Sequence, residues 1–519
     1  MGTRLSWAAL GMAAAAVAIG VGEVVAGLLG GTSAVAAVGA LIISLQPPGA
    51  KDLMVSLFGT NDKLALETMV FIGGVLLGAL LGLLGRRDVR LVYGAFVVLG
   101  VVGIVLILQD PLEQLVVALL TVGAAVAAGI AMFSWLASML APAPAPTPTA
   151  ARPPAQAKAV GGASMPRRAF LVIAGTFIAV GGVLSVIGRV LGSQVPVQPG
   201  PPVAVPPPQQ TVAPLPAGAD FGIAGLTPII VANDDFYQID TRLGTPELDA
   251  STWSLRIHGM VKNEVTLSYA QLLAMPLIEQ YVTISCVSNE VGGHLVGNAK
   301  WTGVNLNSVL AMAGVQAGAT QVVGRSFDGW TSGFPTAHLS GAGKDAMIVV
   351  LMNGVPLPAR HGFPARVIVP GLYGYVSATK WVTEIELTTL EAFDAYWIKL
   401  GWAKEGPILT QSRIDTPRSG QGVPNGQVQI AGIAWAPTRG IAKVEIDVDE
   451  DENWRACQLS APLSDYTWVQ WQTTVGVSAG RHTIRVRATD GTGMVQESRS
   501  TPPAPDGARG YHTVTFNAT

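Results

Sequence analysis

The long apolar runs of this chain are confined to its first 192 residues, which limits the fold more than any other feature. Five of them, at about 5–30, 64–85, 91–108, 115–140 and 169–191, are long enough to cross roughly 30 Å of hydrocarbon. The whole chain of 519 residues is 50% hydrophobic and 13% charged, too apolar for a soluble enzyme of this length. Residues 219–519, by contrast, read as soluble protein.

Positive charges set the orientation of such spans. Arg4 precedes the first. Arg86, Arg87 and Arg90 separate the second from the third, and Arg152, Lys158, Arg167 and Arg168 separate the fourth from the fifth. All fall on one side if the N-terminus is cytoplasmic. Five spans then place everything after residue 192 outside the cytoplasm, on a multi-pass anchor in the cell membrane. Arg167-Arg168-Ala169-Phe170-Leu171 resembles a twin-arginine export signal, which moves folded proteins, although any arginine pair also serves as a positive-inside anchor.

The spans also exclude chemistry. All six histidines lie beyond residue 219, and the only cysteines are Cys286 and Cys457. The membrane half therefore lacks the ligands for a bis-histidine haem or an iron–sulfur cluster. With no lysine/arginine block, nucleic-acid binding has no support, and two distant cysteines make no disulfide framework. Glu23 sits well inside the first span and Glu67 near an end of the second. An intramembrane acid is a functional candidate by default, but a place near the outer interface or a partner on a neighbouring helix explains Glu23 as well. Between these spans, residues 51–63 set Leu53, Met54, Leu57 and Phe58 at helical spacing, as in a short surface helix.

Residues 141–166 read as an Ala/Pro linker. Residues 193–218, rich in proline from Pro196 to Pro208, read as an extended polyproline spacer of about 3.1 Å per residue. Beyond it, 219–403 mixes short strands, glycine turns and helical patches. Residues 253–259 alternate like a strand, 268–274 look helical with Ser268 as cap, and 346–351 and 365–369 are buried-strand candidates. From 404 to 519 strand follows strand with period two, at 428–434, 442–448, 468–475, 482–488 and 513–516, punctuated by Gly and Pro as in a sandwich.

Cys286 stands in Val282-Thr283-Ile284-Ser285-Cys286-Val287-Ser288-Asn289, with Trp301-Thr302-Gly303 after it. Two cysteines exclude a thiolate-built zinc or iron–sulfur cluster, but one thiolate can be a nucleophile or a single ligand of a soft metal centre. Two further stretches stand out: Leu357-Pro358-Ala359-Arg360-His361-Gly362-Phe363-Pro364-Ala365-Arg366-Val367-Ile368-Val369-Pro370-Gly371 and Tyr373-Gly374-Tyr375-Val376-Ser377-Ala378-Thr379-Lys380-Trp381. In this order and spacing the three stretches resemble the sulfite-oxidase family of molybdopterin enzymes, over about 300 residues.

The resemblance implies a multi-domain fold: an N-terminal α-helical transmembrane bundle over 1–192, an α+β molybdopterin domain over 219–403, and an all-β immunoglobulin-like sandwich over 404–519. It implies Mo-molybdopterin as cofactor, with Cys286 as the molybdenum ligand. Tyr237, Gln238, Ser326, His361, Arg366, Ser377 and Lys380 would contact the pterin, the cations and hydroxyls suiting its phosphate. Trp301 reads as core rather than site, and Cys457 as an inert thiol. Implied partners are the bilayer, a small-molecule substrate, a separate electron-transfer protein and a second copy of the chain through the C-terminal domain.

The sulfite-oxidase pattern breaks at the substrate. No arginine follows Cys286 closely, where Val287 to Gly293 stand, His294 being the nearest candidate cation. The other substrate arginine falls near Ile239 and the catalytic tyrosine near Trp402, leaving Arg325 as the candidate substitute. A small dianion needs cations, so two-electron or oxygen-atom transfer on a neutral or weakly charged substrate is expected. Sulfite oxidation, methionine-sulfoxide-reductase-like activity and a non-catalytic sensing module are the alternatives.

Overall fold

The computed structural model describes residues 4–46, 54, 57–58, 62–140, 166–194 and 204–519. Most of the expected surface helix at 51–63, nearly all of the first linker and residues 195–203 of the second lie outside them. The chain divides into two compact units, Met1–Gln198 with Thr241–Gly244, and Pro199–Asp240 with Thr245–Thr519.

The first unit is helical: α1 (Arg4–Leu29), α2 (Ala34–Leu45), α3 (Asp62–Gly85), α4 (Val89–Ile107), α5 (Leu115–Leu140) and α6 (Arg167–Gln194). All but α2 are long and apolar enough to cross a membrane. Glycine lets α1 sit at the centre. A Cβ on Gly11 would lie 2.0 Å from the Gly78 carbonyl of α3, and one on Gly27 2.2 Å from the Gly188 carbonyl of α6. Such backbone approach is how helices associate where no hydrophobic driving force acts between them. The outer surfaces of α3 to α6 expose large apolar side chains such as Leu80, Val98, Val116 and Val186. At one end, Thr32 N–H donates to Glu113 (2.6 Å) and Thr32 Oγ1 to Asp110 (2.9 Å). Arg242 pairs with Asp110 in the same network. The partner of Glu23 comes from another helix: Arg189 of α6 reaches both Glu23 and Glu67.

The second unit begins differently from the sequence expectation. Residues 204–218 are irregular, but Gln209 N–H donates to Leu277 O (2.8 Å) and Gln210 O accepts from Glu279 N–H (2.8 Å). Proline removes the donors that would make this segment a regular strand, yet its non-proline residues pair with a strand edge. That part of the expected spacer is therefore laid on the fold.

Ten strands follow: β1 (Ser254–Gly259), β2 (Val265–Ser268), β3 (Leu277–Ser285), β4 (Val296–Asn305), β5 (Gln321–Ser326), β6 (Thr331–Pro335), β7 (Met347–Met352), β8 (Val355–Pro356), β9 (Arg366–Ile368) and β10 (Val382–Thr388). One sheet runs β2-β1-β10-β5-β6. The other runs β3-β4-β7-β8, with β9 on β7. Helices α7 (Tyr269–Leu273), α8 (Leu306–Ala313) and α9 (Gly374–Ser377) connect them. Ser268 caps α7 with a full capping box completed by Gln271. The third strand of the motif region, β9, is short because Pro364 and Pro370 bracket it.

The chain closes in β11 (Gln411–Thr416), β12 (Gly422–Val423), β13 (Gly426–Trp435), β14 (Ile441–Val448), β15 (Arg455–Ala456), β16 (Gln458–Leu459), β17 (Val469–Val477), β18 (Gly480–Asp490) and β19 (His512–Ala518). They form two sheets, β11-β13-β17-β16 and β12-β19-β18-β14-β15. Ile430 and Trp471 from one sheet, and Ile446, Ile484 and Phe516 from the other, share one core. Trp435 and Trp468 instead join the core of the preceding domain. Trp468 Nε1–H donates to Ile229 O (3.0 Å), which ties the domains together.

Candidate active site

Cys286 is the first residue after β3, the strand buried on both faces over its last four positions. Its N–H donates to Leu295 O (2.9 Å), and its carbonyl accepts from Asn289 N–H (3.1 Å). Asn289 Oδ1 accepts from Leu295 N–H (2.8 Å), so one amide side chain closes the loop between β3 and β4. Cys286 is 8% exposed, and its thiol is free.

Trp301 on neighbouring β4 is fully buried and donates Nε1–H to Val282 O (3.0 Å). It forms a wall, as expected of a core residue. Phe236 packs edge-on against it with ring centres 5.7 Å apart. The Arg366 guanidinium lies over it, 5.3 Å from the ring centre. Phe236 also stacks on Tyr237 (5.3 Å) and meets His361 edge-on (5.7 Å).

Tyr237 is close enough to both Cys286 and Arg366 to feel their charge. Burial, then the nearby Cys286, raises the Tyr237 phenol, and Arg366 opposes this. Tyr237 keeps part of its surface accessible although protein surrounds it, as expected of a side chain in a recessed wall. Burial lowers Arg366 to about 10, still cationic at neutral pH. Its Nη1–H donates to His361 O (3.1 Å), its Nε has no partner, and it makes no ion pair among the described residues. Ser326 Oγ and Ser288 Oγ are likewise buried without partners.

His361 is 1% exposed and hydrogen-bonds through Nε2 to Asn233 O (2.7 Å). A carbonyl only accepts, so Nε2 carries the proton. Burial lowers the ring to about 4, with Arg366, Arg360 and Lys380 adding to the fall, so it is neutral at ordinary pH.

Lys380 donates to Asp240 (2.7 Å) and to Arg360 O (3.2 Å) and lies over Trp381. Gln238, an exposed residue, also donates to Asp240 (3.1 Å). Ser377 spends its hydroxyl on the carbonyl of Tyr373 (2.9 Å), within its own turn. The predicted residues thus form two neighbouring groups: Tyr237, Cys286, His361 and Arg366, and Lys380 with Gln238. Ser326 pairs in register with Val382, just beyond Lys380.

Four contributors were given no role from the sequence: Asp240, Asn233, Phe236 and Tyr373, although Tyr373 opens one of the motif stretches. Cys286 adds to the rise of the buried Tyr373 phenol, to about 12, after burial itself. Asp240 carried a usable signal, lying in the same short segment as Tyr237 and Gln238.

Arg325 does not replace the missing substrate cation. It pairs with Glu386 and lies over Phe393. Successive strand residues face opposite ways, so it points away from the face that carries Ser326. His294 is held below the usual imidazole range by burial and by Arg413. Trp402 is buried between Tyr375 (5.9 Å) and Trp397 (6.5 Å).

Among the described residues no three His, Cys, Asp or Glu side chains converge to hold a metal. A metal at Cys286 would therefore take its other ligands from a non-protein group. The lone buried thiol, the unpaired Arg366 and the unpartnered Ser326 fit an anionic metal-bearing cofactor.

Residues 242–397 match the family described as the oxidoreductase molybdopterin binding domain, and 407–502 match the Mo-co oxidoreductase dimerisation domain. This chain belongs to the sulfite-oxidase family of molybdopterin oxidoreductases. Its cofactor is Mo-molybdopterin. Human mitochondrial sulfite oxidase is 27% identical over 306 residues, 50% of this chain and 56% of that protein. The nitrate reductase [NADH] 1 of Oryza sativa subsp. japonica is 27% identical over 307 residues, 47% of this chain and 33% of that one. Among solved structures, the sulfane dehydrogenase SoxCD from Paracoccus pantotrophus covers 56% of this chain and 84% of its own at 20% identity, with a TM-score of 0.49. The chain spans a little over half the length of the mammalian mitochondrial sulfite oxidases it matches.

Proposed function

We propose that this protein is a membrane-anchored oxidoreductase whose molybdenum is ligated by Cys286 and faces the extracytoplasmic side. The observation that carries the reading is Arg366: a residue 4% exposed, its guanidinium over Trp301 and bonded to the His361 carbonyl, without a carboxylate. Buried charges are paired or strongly disfavoured, so the site is built to receive an anion. Molybdopterin, when bound, supplies the two-electron couple at molybdenum. Arg366 and the Ser326 hydroxyl would hold it, and neutral His361 would face it without adding charge. Lys380, already neutralised by Asp240, would position the segment rather than contribute a net charge.

The five apolar helices and the one-sided arginines support the anchor and the orientation. The C-terminal two-sheet domain, read as immunoglobulin-like, would pair two copies, as the matched dimerisation family suggests.

Several curated relatives are sulfite oxidases, yet the residues that would face an anionic substrate here supply few cations. Val287 to Gly293 carry none, and Arg325 is committed to Glu386. A small neutral or weakly charged substrate is therefore favoured over sulfite. The test is molybdenum and pterin content of membrane-purified protein, wild type beside Cys286→Ser, followed by turnover of sulfite and of neutral sulfoxides with dye partners. Near-stoichiometric pterin with a changed metal spectrum in the variant supports the reading, and wild type free of molybdenum from a cofactor-competent host sinks it. Efficient sulfite turnover would overturn the substrate assignment alone.

A further inference from the structure

The helical unit holds an ionic cluster with an unequal charge count, Glu23 buried and Glu67 and Arg189 part-exposed. Arg189 Nη1 of α6 lies 3.3 Å from Glu67 Oε2 of α3, and Arg189 Nε lies 3.8 Å from Glu23 Oε2 of α1. Glu23 is 5% exposed, and its Oε1 has no hydrogen-bond partner; neither has Arg189 Nε nor the buried Ser185 Oγ one turn earlier on α6. The other two helices against α1, α2 and α5, contain no ionisable side chain. Ser33, just after α1, is the remaining polar neighbour that acts on Glu23. Asp110 is already paired with Arg242, and Glu113 accepts from Thr32 N–H, at the rim of the bundle.

Two carboxylates therefore share one guanidinium. If both were ionised, the cluster would carry a surplus negative charge in apolar surroundings, which is strongly disfavoured. The guanidinium sits closer to Glu67. At 3.8 Å the Glu23 contact is beyond hydrogen-bonding distance. The surplus is thus located on Glu23.

We propose that Glu23 is a proton-binding site within the membrane, with Arg189 committed to Glu67. Binding is the simple step of a carboxylate taking one proton to become a carboxylic acid, and no electron moves. Glu23 lies in the last two turns of α1, Glu67 in the second turn of α3 and Arg189 in the last two turns of α6. With the orientation proposed above, all three lie toward the outer face, so the proton exchanges with the extracytoplasmic phase.

This inference rests on the membrane reading of the unit, and the experiment separates the two. Membranes containing the full chain are first washed with alkaline carbonate; release of the chain refutes the membrane reading. Chain that stays integral is treated with a hydrophobic carbodiimide, which modifies protonated carboxyls in apolar sites, and adducts are mapped by mass spectrometry. The expected result is modification at Glu23 and not Glu67 near neutral pH. The rate should decline about tenfold per pH unit once above the group's pKa. Arg189→Gln should bring Glu67 into the modified set. Glu23 unmodified in integral protein, or modified at a rate flat with pH, overturns the proposal. In wild type the infrared carbonyl band of a carboxylic acid should be present, and it should vanish in Glu23→Gln but persist in Glu67→Gln. Survival of that band in Glu23→Gln also overturns it.

Discussion

A guanidinium buried without a carboxylate is costly unless an anion completes it, and Arg366 is such a group. This gives a prediction of opposite sign in two states. Arg366→Met should lower molybdopterin retention by about 10–100-fold, the range for losing a supporting contact at a metal site. In cofactor-free protein the same change should leave the melting temperature equal or higher, because it removes an uncompensated charge. A fall in both states would mean that Arg366 is a structural residue. His361 gives a second prediction. Its ring titrates near about 4 in the fold against about 6.5 when unfolded. Between these values the unfolded chain binds a proton that the folded chain refuses, so stability falls as pH drops through that window and levels off below it. The contribution is ~3 kcal/mol in cofactor-free protein. His512, lowered to about 4 by burial, shares the slope. Denaturant titrations from neutral to acid pH should show it, and His361→Gln should remove roughly half. At this scale the sequence offered Cys286, His361 and Arg366 as candidates because each stands in a motif stretch. It did not display Asp240 as the partner of Lys380, since that ion pair joins residues 140 positions apart.

Elements were legible where burial imposes a period. Strands β18 and β19 alternate because one face of each fills a shared core, so residues 482–488 and 513–516 could be read directly, whereas β13 and β14 are buried on both faces over 430–435 and 444–448. Helix α2 was not, because its 12 residues fall short of a span and carry no polar face to mark one. Residues 204–218 misled through their prolines, which signal extension but do not say whether the chain lies on a strand edge. The Trp301-x-Gly303 pattern has a packing reason visible only in the fold. A Cβ at Gly303 would lie 2.1 Å from Ile348 O and 2.6 Å from Val349 Cα, both backbone atoms of β7. Gly303→Ala must therefore push β7 from β4, on the sheet that presents Cys286. The expected loss is about 1–3 kcal/mol, as for overpacking elsewhere, read as a drop in melting temperature. Cofactor should be lost before the fold is. Gly354→Ala, where no atom crowds the site but φ is +83°, provides a control of strain without a clash.

On the scale of the whole molecule, the two units divide the chemistry as unevenly as the sequence does. Every histidine and cysteine lies beyond residue 219, so Met1–Gln198 offers no imidazole or thiolate to a metal. The cores that support Cys286 and Arg366 draw only on residues after 204. Domain order was legible because composition changes abruptly after residue 192; the role of a multi-helix bundle was not, since one span would suffice to tether a domain. The division predicts that residues 204–519, produced alone in a cofactor-competent cytoplasm, stay in the soluble fraction. They should bind molybdenum and pterin at the full chain's ratio and turn over substrate with a dye partner at the full chain's rate. Neither protein should show a haem spectrum, since neither carries paired histidines on helices. If the fragment folds and loads cofactor but turns over slowly with the dye, the helical unit takes part in electron transfer itself. If it matches the full chain with the dye but not in membranes, the bundle recruits a separate electron partner, which the missing ligands in its helices already favour.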